Sequence, residues 1–90
     1  MVKYLVSRAG RSILIAARAY ILIETQVGRS PDVAAALQSM PGVPSVDIIT
    51  GDFDIIALVE AQDMVSMADL VTGLVQSIPG VTRTITCVAA

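Results

Sequence analysis

The 90-residue chain has no histidine and no tryptophan, and it holds one cysteine, one phenylalanine and two tyrosines. Without histidine it lacks the commonest general base, the usual metal ligand and most catalytic triads. A single cysteine, Cys87, rules out an intramolecular disulfide framework and a thiolate zinc or iron–sulfur site, and it fits a reducing cytoplasm. In its apolar C-terminal run, Cys87 is expected as a small buried hydrophobe. Too few aromatic residues are present to build a stacking platform for single-stranded nucleic acid. No catalytic set, metal site or cofactor is expected, and the chain reads as a non-enzyme.

Long apolar runs are also missing. The longest uncharged stretch, Val33 to Val46, contains Pro41, Gly42 and Pro44, and it falls short of the roughly 18 residues a spanning helix needs. No membrane insertion is expected. Yet 54% of the residues are hydrophobic and the mean hydropathy is +0.74. One domain this small buries only about two-thirds of its unfolded surface, so the excess needs a cover, and copies of the same chain supply it.

Charge is placed unevenly. Lys3, Arg8, Arg11 and Arg18 precede every acid, whereas the remaining chain sets Arg29 and Arg83 against all 8 acidic residues. An acidic body of this kind is a poor direct binder of nucleic acid. Residues 1–18 read as an N-terminal extension, either a strand or short helix at a subunit contact or a linker. Residues 19–90 read as the domain proper.

The domain repeats a phrase. Ser39-Met40-Pro41-Gly42-Val43 returns as Ser77-Ile78-Pro79-Gly80-Val81, each time closing a helical pattern and opening a strand-like one. Ala19–Thr25 is rich in β-branched and aromatic residues and predicts a strand. Ser30 is the expected N-cap of a helix with Pro31 in its first turn, and Val33, Ala36, Leu37 and Met40 mark its apolar face. Val43–Thr50 and Phe53–Glu60 are expected strands around a tight Gly51-Asp52 reversal. Asp63 caps a second helix with a stripe of Met67, Leu70, Val71, Leu74 and Ile78, and Val81–Val88 is the last strand. The order βαββαβ predicts an α+β, ferredoxin-like fold with both helices on one face of a four-stranded antiparallel sheet. Ile55, Ala57 and Val59 alternate with Ile56 and Leu58, so the face away from the helices is apolar too. A homodimer through that face is expected.

AYILIET, SMPGV, DIITGDFDIIALVEA and SIPGVTRTITCVA resemble the effector-binding domain of the Lrp/AsnC regulators over about residues 19–89. The most specific parts are Thr50-Gly51-Asp52-Phe53-Asp54 and Pro-Gly-Val-x-Arg-Thr from Pro79 to Thr84. The resemblance implies a ferredoxin-like dimer, a dimeric α/β barrel, whose dimers join into rings such as octamers and take amino acids between dimers. It also implies a role in regulating amino-acid metabolism. Eighteen residues ahead of the match are too few for the family's helix-turn-helix. A stand-alone effector domain is therefore expected, acting through a helix-turn-helix paralogue in mixed assemblies.

Thr50, Gly51, Asp52, Phe53 and Asp54 are the first candidates for a ligand site. Turn amides receive a carboxylate, and Asp52 or Asp54 receives an α-ammonium; the same residues also suit a plain hairpin turn. Thr84 and Thr86 share a strand face with Thr82 and offer hydroxyls, as ordinary strand threonines also do. Arg83, on the opposite face, suits an ion pair. Met64 and Met67 suit core or interface packing. Two further functions remain beside sensing: a purely structural assembly module, and a small ferredoxin-like barrel enzyme with Asp54 as a lone base. The ACT domain, another ferredoxin-like amino-acid sensor, is the alternative resemblance, and the Thr50–Asp54 motif favours the Lrp/AsnC type over it.

Overall fold

A computed structural model describes residues 17–89 with their side chains, and the backbone of two short strands ahead of them. Those strands, β1 (Lys3–Val6) and β2 (Ser12–Ile15), pair antiparallel with Lys3 opposite Ile15. The basic residues Arg8 and Arg11 of the expected extension lie outside the described residues.

The main body runs β3 (Ala17–Thr25), α1 (Ser30–Gln38), β4 (Ser45–Ile48), β5 (Ile55–Ala61), α2 (Met64–Ser77) and β6 (Val81–Val88). Its sheet has the order β4-β5-β3-β6 with every pairing antiparallel, the ferredoxin-like arrangement that the βαββαβ order predicts.

Local chemistry explains the helix ends. Asp63 is the N-cap of α2, and its Oδ1 accepts from the Ser66 amide at 2.7 Å. Such a cap satisfies one of the helix's orphan N–H groups. That bond holds the Asp63 carboxyl below its ordinary range. The expected cap of α1 differs. Arg29 holds the cap position without a side-chain bond, while the Ser30 hydroxyl lies 2.8 Å from that of Thr25. Ser30 is therefore tied across to β3 and does not cap its own helix.

Period-two alternation sorts the central strands into two faces. Ala17, Ala19, Ile21 and Ile23 of β3, with Ile55, Ala57 and Val59 of β5, are buried beneath Val33 and Leu37 of α1, Met67 and Leu74 of α2, and Ile78 just past the end of α2. Each fully buried Leu, Ile, Val or Met side chain contributes about 1.5–3 kcal/mol from apolar area removed from water. Of the two candidate methionines, Met67 is core and Met64 is exposed.

The repeated Pro-Gly has a reciprocal structural meaning. Gly42 O accepts from the Glu60 amide, and Gly80 O accepts from the Gln26 amide, each at 2.8 Å. Each donor precedes the opening of a helix, Ser30 or Met64, by the same interval. Both glycines have positive φ, +82° and +97°. A Cβ on Gly42 would press on Leu70 of α2, and one on Gly80 would press on Arg29 and Val33 at the start of α1. Each half of the fold thus closes on the other half's helix, through a position that suits glycine on both conformational and packing grounds.

Beside the cap of α1, three expectations need correction. The second expected strand, Val43–Thr50, shrinks to Ser45–Ile48: Pro44 has no N–H to give a ladder, and Ile49 donates to Asp54 O at 2.8 Å, closing a loop. The third begins at Ile55 instead of Phe53, so the tight Gly51-Asp52 reversal is in fact a wider loop between Ile49 and Asp54. Cys87 is exposed in the single chain, because it sits opposite Tyr20 on the face away from the helices. That face carries Tyr20 and Leu22 of β3, Ile56 and Leu58 of β5 and Ile85 of β6 in register. Arg18 opposite Glu60 bounds this belt at one end, and Glu24 opposite Arg83 bounds it at the other.

Candidate functional site

Where β5 begins, the β3–β5 ladder stops at the Ile23–Ile55 pair and the chain leaves the sheet as the loop Thr50–Asp54. Its geometry is set by its last residue. The Asp54 amide donates to Ile23 O at 2.9 Å, and its carbonyl accepts from Ile49 N–H. Its Oδ2 accepts from the Thr25 amide at 2.8 Å and from the Thr25 hydroxyl at 3.3 Å. Phe53, half-buried, is fixed from the other side: the Arg83 guanidinium lies over its ring at 4.8 Å from the centroid, a favourable cation–π distance. Arg83 also pairs with Glu24 at 3.6 Å, and Thr82 donates to Glu24 Oε1 at 2.8 Å.

Thr50, Gly51 and Asp52 form the exposed tip. Among the described residues, no internal hydrogen bond engages the amides of Thr50, Gly51, Asp52 or Phe53. Gly51 has φ +151° with open space where a Cβ would stand, so conformation and not crowding favours glycine there. A row of unengaged amides next to the Asp52 carboxylate can meet an anion and a cation within a few residues of each other.

The threonines stand apart from Phe53. Thr84 and Thr86 pair in register with Ile23 and Ile21, whose side chains are buried on the helix side, whereas Phe53 meets Arg83 on the open side. The candidate residues of β6 and the aromatic of the loop are thus on opposite faces of the sheet in one chain. Two contacts escaped the sequence reading. The Thr25–Asp54 bond joins residues 29 apart, and no local pattern marks it. The Arg83–Phe53 stack depends on the register of β6 against β3, although the opposite-face placement of Arg83 was visible in the alternation. Among the described residues there is no group of His, Cys, Asp or Glu able to hold a metal ion, and no helix is long and apolar enough to cross a membrane.

Comparison with known proteins places this arrangement. The family described as the Lrp/AsnC ligand binding domain matches residues 18–90. No curated protein matches the chain in sequence. Among solved structures, a protein from Thermus thermophilus is 33% identical, with TM-score 0.78, over 83% of this chain and 94% of that one. A hypothetical protein from Pyrococcus horikoshii is 27% identical, also with TM-score 0.78, over 83% of this chain and 90% of that one. A transcriptional regulator from Neisseria meningitidis, solved as a complex with L-Met, shares the fold at 21% identity and TM-score 0.74, over 83% of this chain and 50% of that one. With its fold, its reciprocal Pro-Gly closures and its Thr50–Asp54 loop accounted for, this chain belongs to the Lrp/AsnC ligand-binding domain family.

Proposed function

We propose that the chain is a non-catalytic sensor of an amino acid, received at the Thr50–Asp54 loop, and that it works as a homodimer built into a larger ring. The carrying observation is the exposed tip, where unengaged amides adjoin the Asp52 carboxylate in a domain of a ligand-binding family. An amino acid presents a carboxylate and an ammonium close together, and the tip offers a partner to each. The L-Met complex of the Neisseria regulator makes this ligand class the first to try. Thr84 and Thr86 join the site only if a neighbouring copy brings its own β6 to the loop.

The open sheet face supports the assembly half of the reading. Tyr20 and Ile85 are 40% and 42% exposed in the single chain, beside half-buried Leu22, Ile56 and Leu58. A second copy laid on the same face covers this belt, and Cys87 with it, and two such sheets make the dimeric α/β barrel. The same face favours the second reading, a purely structural assembly module whose size ignores small molecules. Regulation of a target would run through mixed assemblies with a helix-turn-helix relative.

Thermal unfolding against each of the common amino acids at millimolar concentration tests the sensor. A ligand near 100 times its Kd adds about 2.7 kcal/mol to the state it binds, which raises Tm by roughly 10–20 °C. A selective rise supports sensing. No rise with any of them, together with an unchanged sedimentation profile, favours the structural module.

A further inference from the structure

Two carboxylates flank Phe53, and the structure gives them different work. Asp52 is exposed, with its side chain at the loop tip. The Asp54 carboxylate is already engaged twice, through Oδ2, by the Thr25 amide and hydroxyl. The surrounding backbone explains why. Past the Ile23–Ile55 pair the ladder slips, because the Asp54 amide reaches Ile23 O one step out of register and the Asp54 carbonyl turns to Ile49. No β5 carbonyl is left for the Thr25 amide, which lies at a register shift between β3 and β6. An unmet amide in a half-buried position is costly, and Oδ2 meets it.

We infer that Asp54 is a positioning residue: its side chain replaces the missing ladder carbonyl, latches the loop to the end of β3 and leaves Asp52 as the carboxylate that faces a ligand. The latch extends one step further. With the Thr25 hydroxyl donating to Asp54, its oxygen accepts from Ser30 Oγ at 2.8 Å. Ser30 is the first residue of α1, so one chain of hydrogen bonds joins the loop, the end of the central strand and the start of a helix. The loop tip can be polar and open because its last residue is held on both sides, by backbone and by side chain. This role rests on the proposed ligand site only for the part assigned to Asp52; the latch itself is independent of any ligand.

Asparagine separates the two roles that Asp54 could have. Asp54→Asn keeps a carbonyl oxygen for the Thr25 amide and removes the charge an ammonium needs, whereas Asp54→Ala removes both. The first readout is hydrogen exchange at the Thr25 amide, which needs no ligand. Exchange is expected to stay slow in the wild type and in Asp54→Asn, and to quicken roughly tenfold or more in Asp54→Ala. Equal exchange in all three overturns the latch. The second readout is titration with whichever common amino acid shifts Tm. Affinity should survive Asp54→Asn within about threefold and fall roughly tenfold or more in Asp52→Asn, the loss of a charge-assisted contact. A large loss in Asp54→Asn with Thr25 exchange unchanged would make Asp54 a direct ligand contact and overturn the division of roles. If no amino acid binds, the sensor reading fails, while the exchange result still decides the latch.

Discussion

Gly42→Ala is the sharpest test of how the two halves of this domain close on each other. At φ +82° an L side chain costs about 1–2 kcal/mol relative to glycine. The added Cβ would also stand 2.8 Å from Leu70 Cδ1 and 3.0 Å from Glu60 O. The leucine tip can turn aside. The carbonyl has less room to yield, since the neighbouring Glu60 amide is bonded to Gly42 O. Overpacking of this kind adds about 1–3 kcal/mol, so a total of about 2–5 kcal/mol is expected, or a fall in Tm of roughly 10–25 °C for a domain of this size. Two other glycines calibrate the result. Gly28 has φ +79° but nothing within 4 Å of a Cβ, so Gly28→Ala should show the conformational cost alone, about 1–2 kcal/mol. Gly73 lies inside α2 with open space around it, and Gly73→Ala should stabilise by about 0.5–1 kcal/mol. Thermal unfolding followed by circular dichroism, at one protein concentration because assembly shifts Tm, gives the order. A Gly42→Ala protein no less stable than Gly28→Ala would refute the close-approach argument.

Other consequences follow from the same structure. Leu74→Ala empties a fully buried site between α2 and the sheet and should cost about 2–5 kcal/mol in denaturant unfolding. Asp63→Ala removes the cap of α2 and should lower Tm at neutral pH. Because the folded-state pKa of Asp63 is depressed by the Ser66 amide, the cap's contribution is present above the unfolded-state pKa and is lost as pH falls through the folded one. The Tm gap between wild type and Asp63→Ala should therefore narrow in acid, and a gap independent of pH would count against the cap. Leu58→Glu places a charge in the middle of the open apolar face, and it should dissociate the expected dimer in sedimentation velocity while leaving the far-ultraviolet circular dichroism of the single domain intact.

Much of the fold was legible in the chain because it depends on short-range rules. Pro-Gly pairs end helices, Asp63 caps one, and period-two alternation in Ile55–Val59 sorts a strand into two faces. The misplacements share one cause. Ser30 looked like a cap, Phe53 like a strand residue and Cys87 like a core residue, and each judgement rested on neighbours in sequence alone. The Thr50–Asp54 loop was recognisable as a motif, yet the bond that ties Asp54 to Thr25 was not.

The sequence by itself determined the order of elements, the two-halved plan and the apolar character of both sheet faces, since these rest on periodicity and on the backbone limits of proline and glycine. Only the tertiary structure decided that a side chain at Gly42 or Gly80 would meet the other half's helix, that Arg83 covers Phe53, and that Asp54 bonds Thr25. Those contacts join residues far apart along the chain, and their existence depends on strand register, which a single shift by one residue would turn to the opposite face.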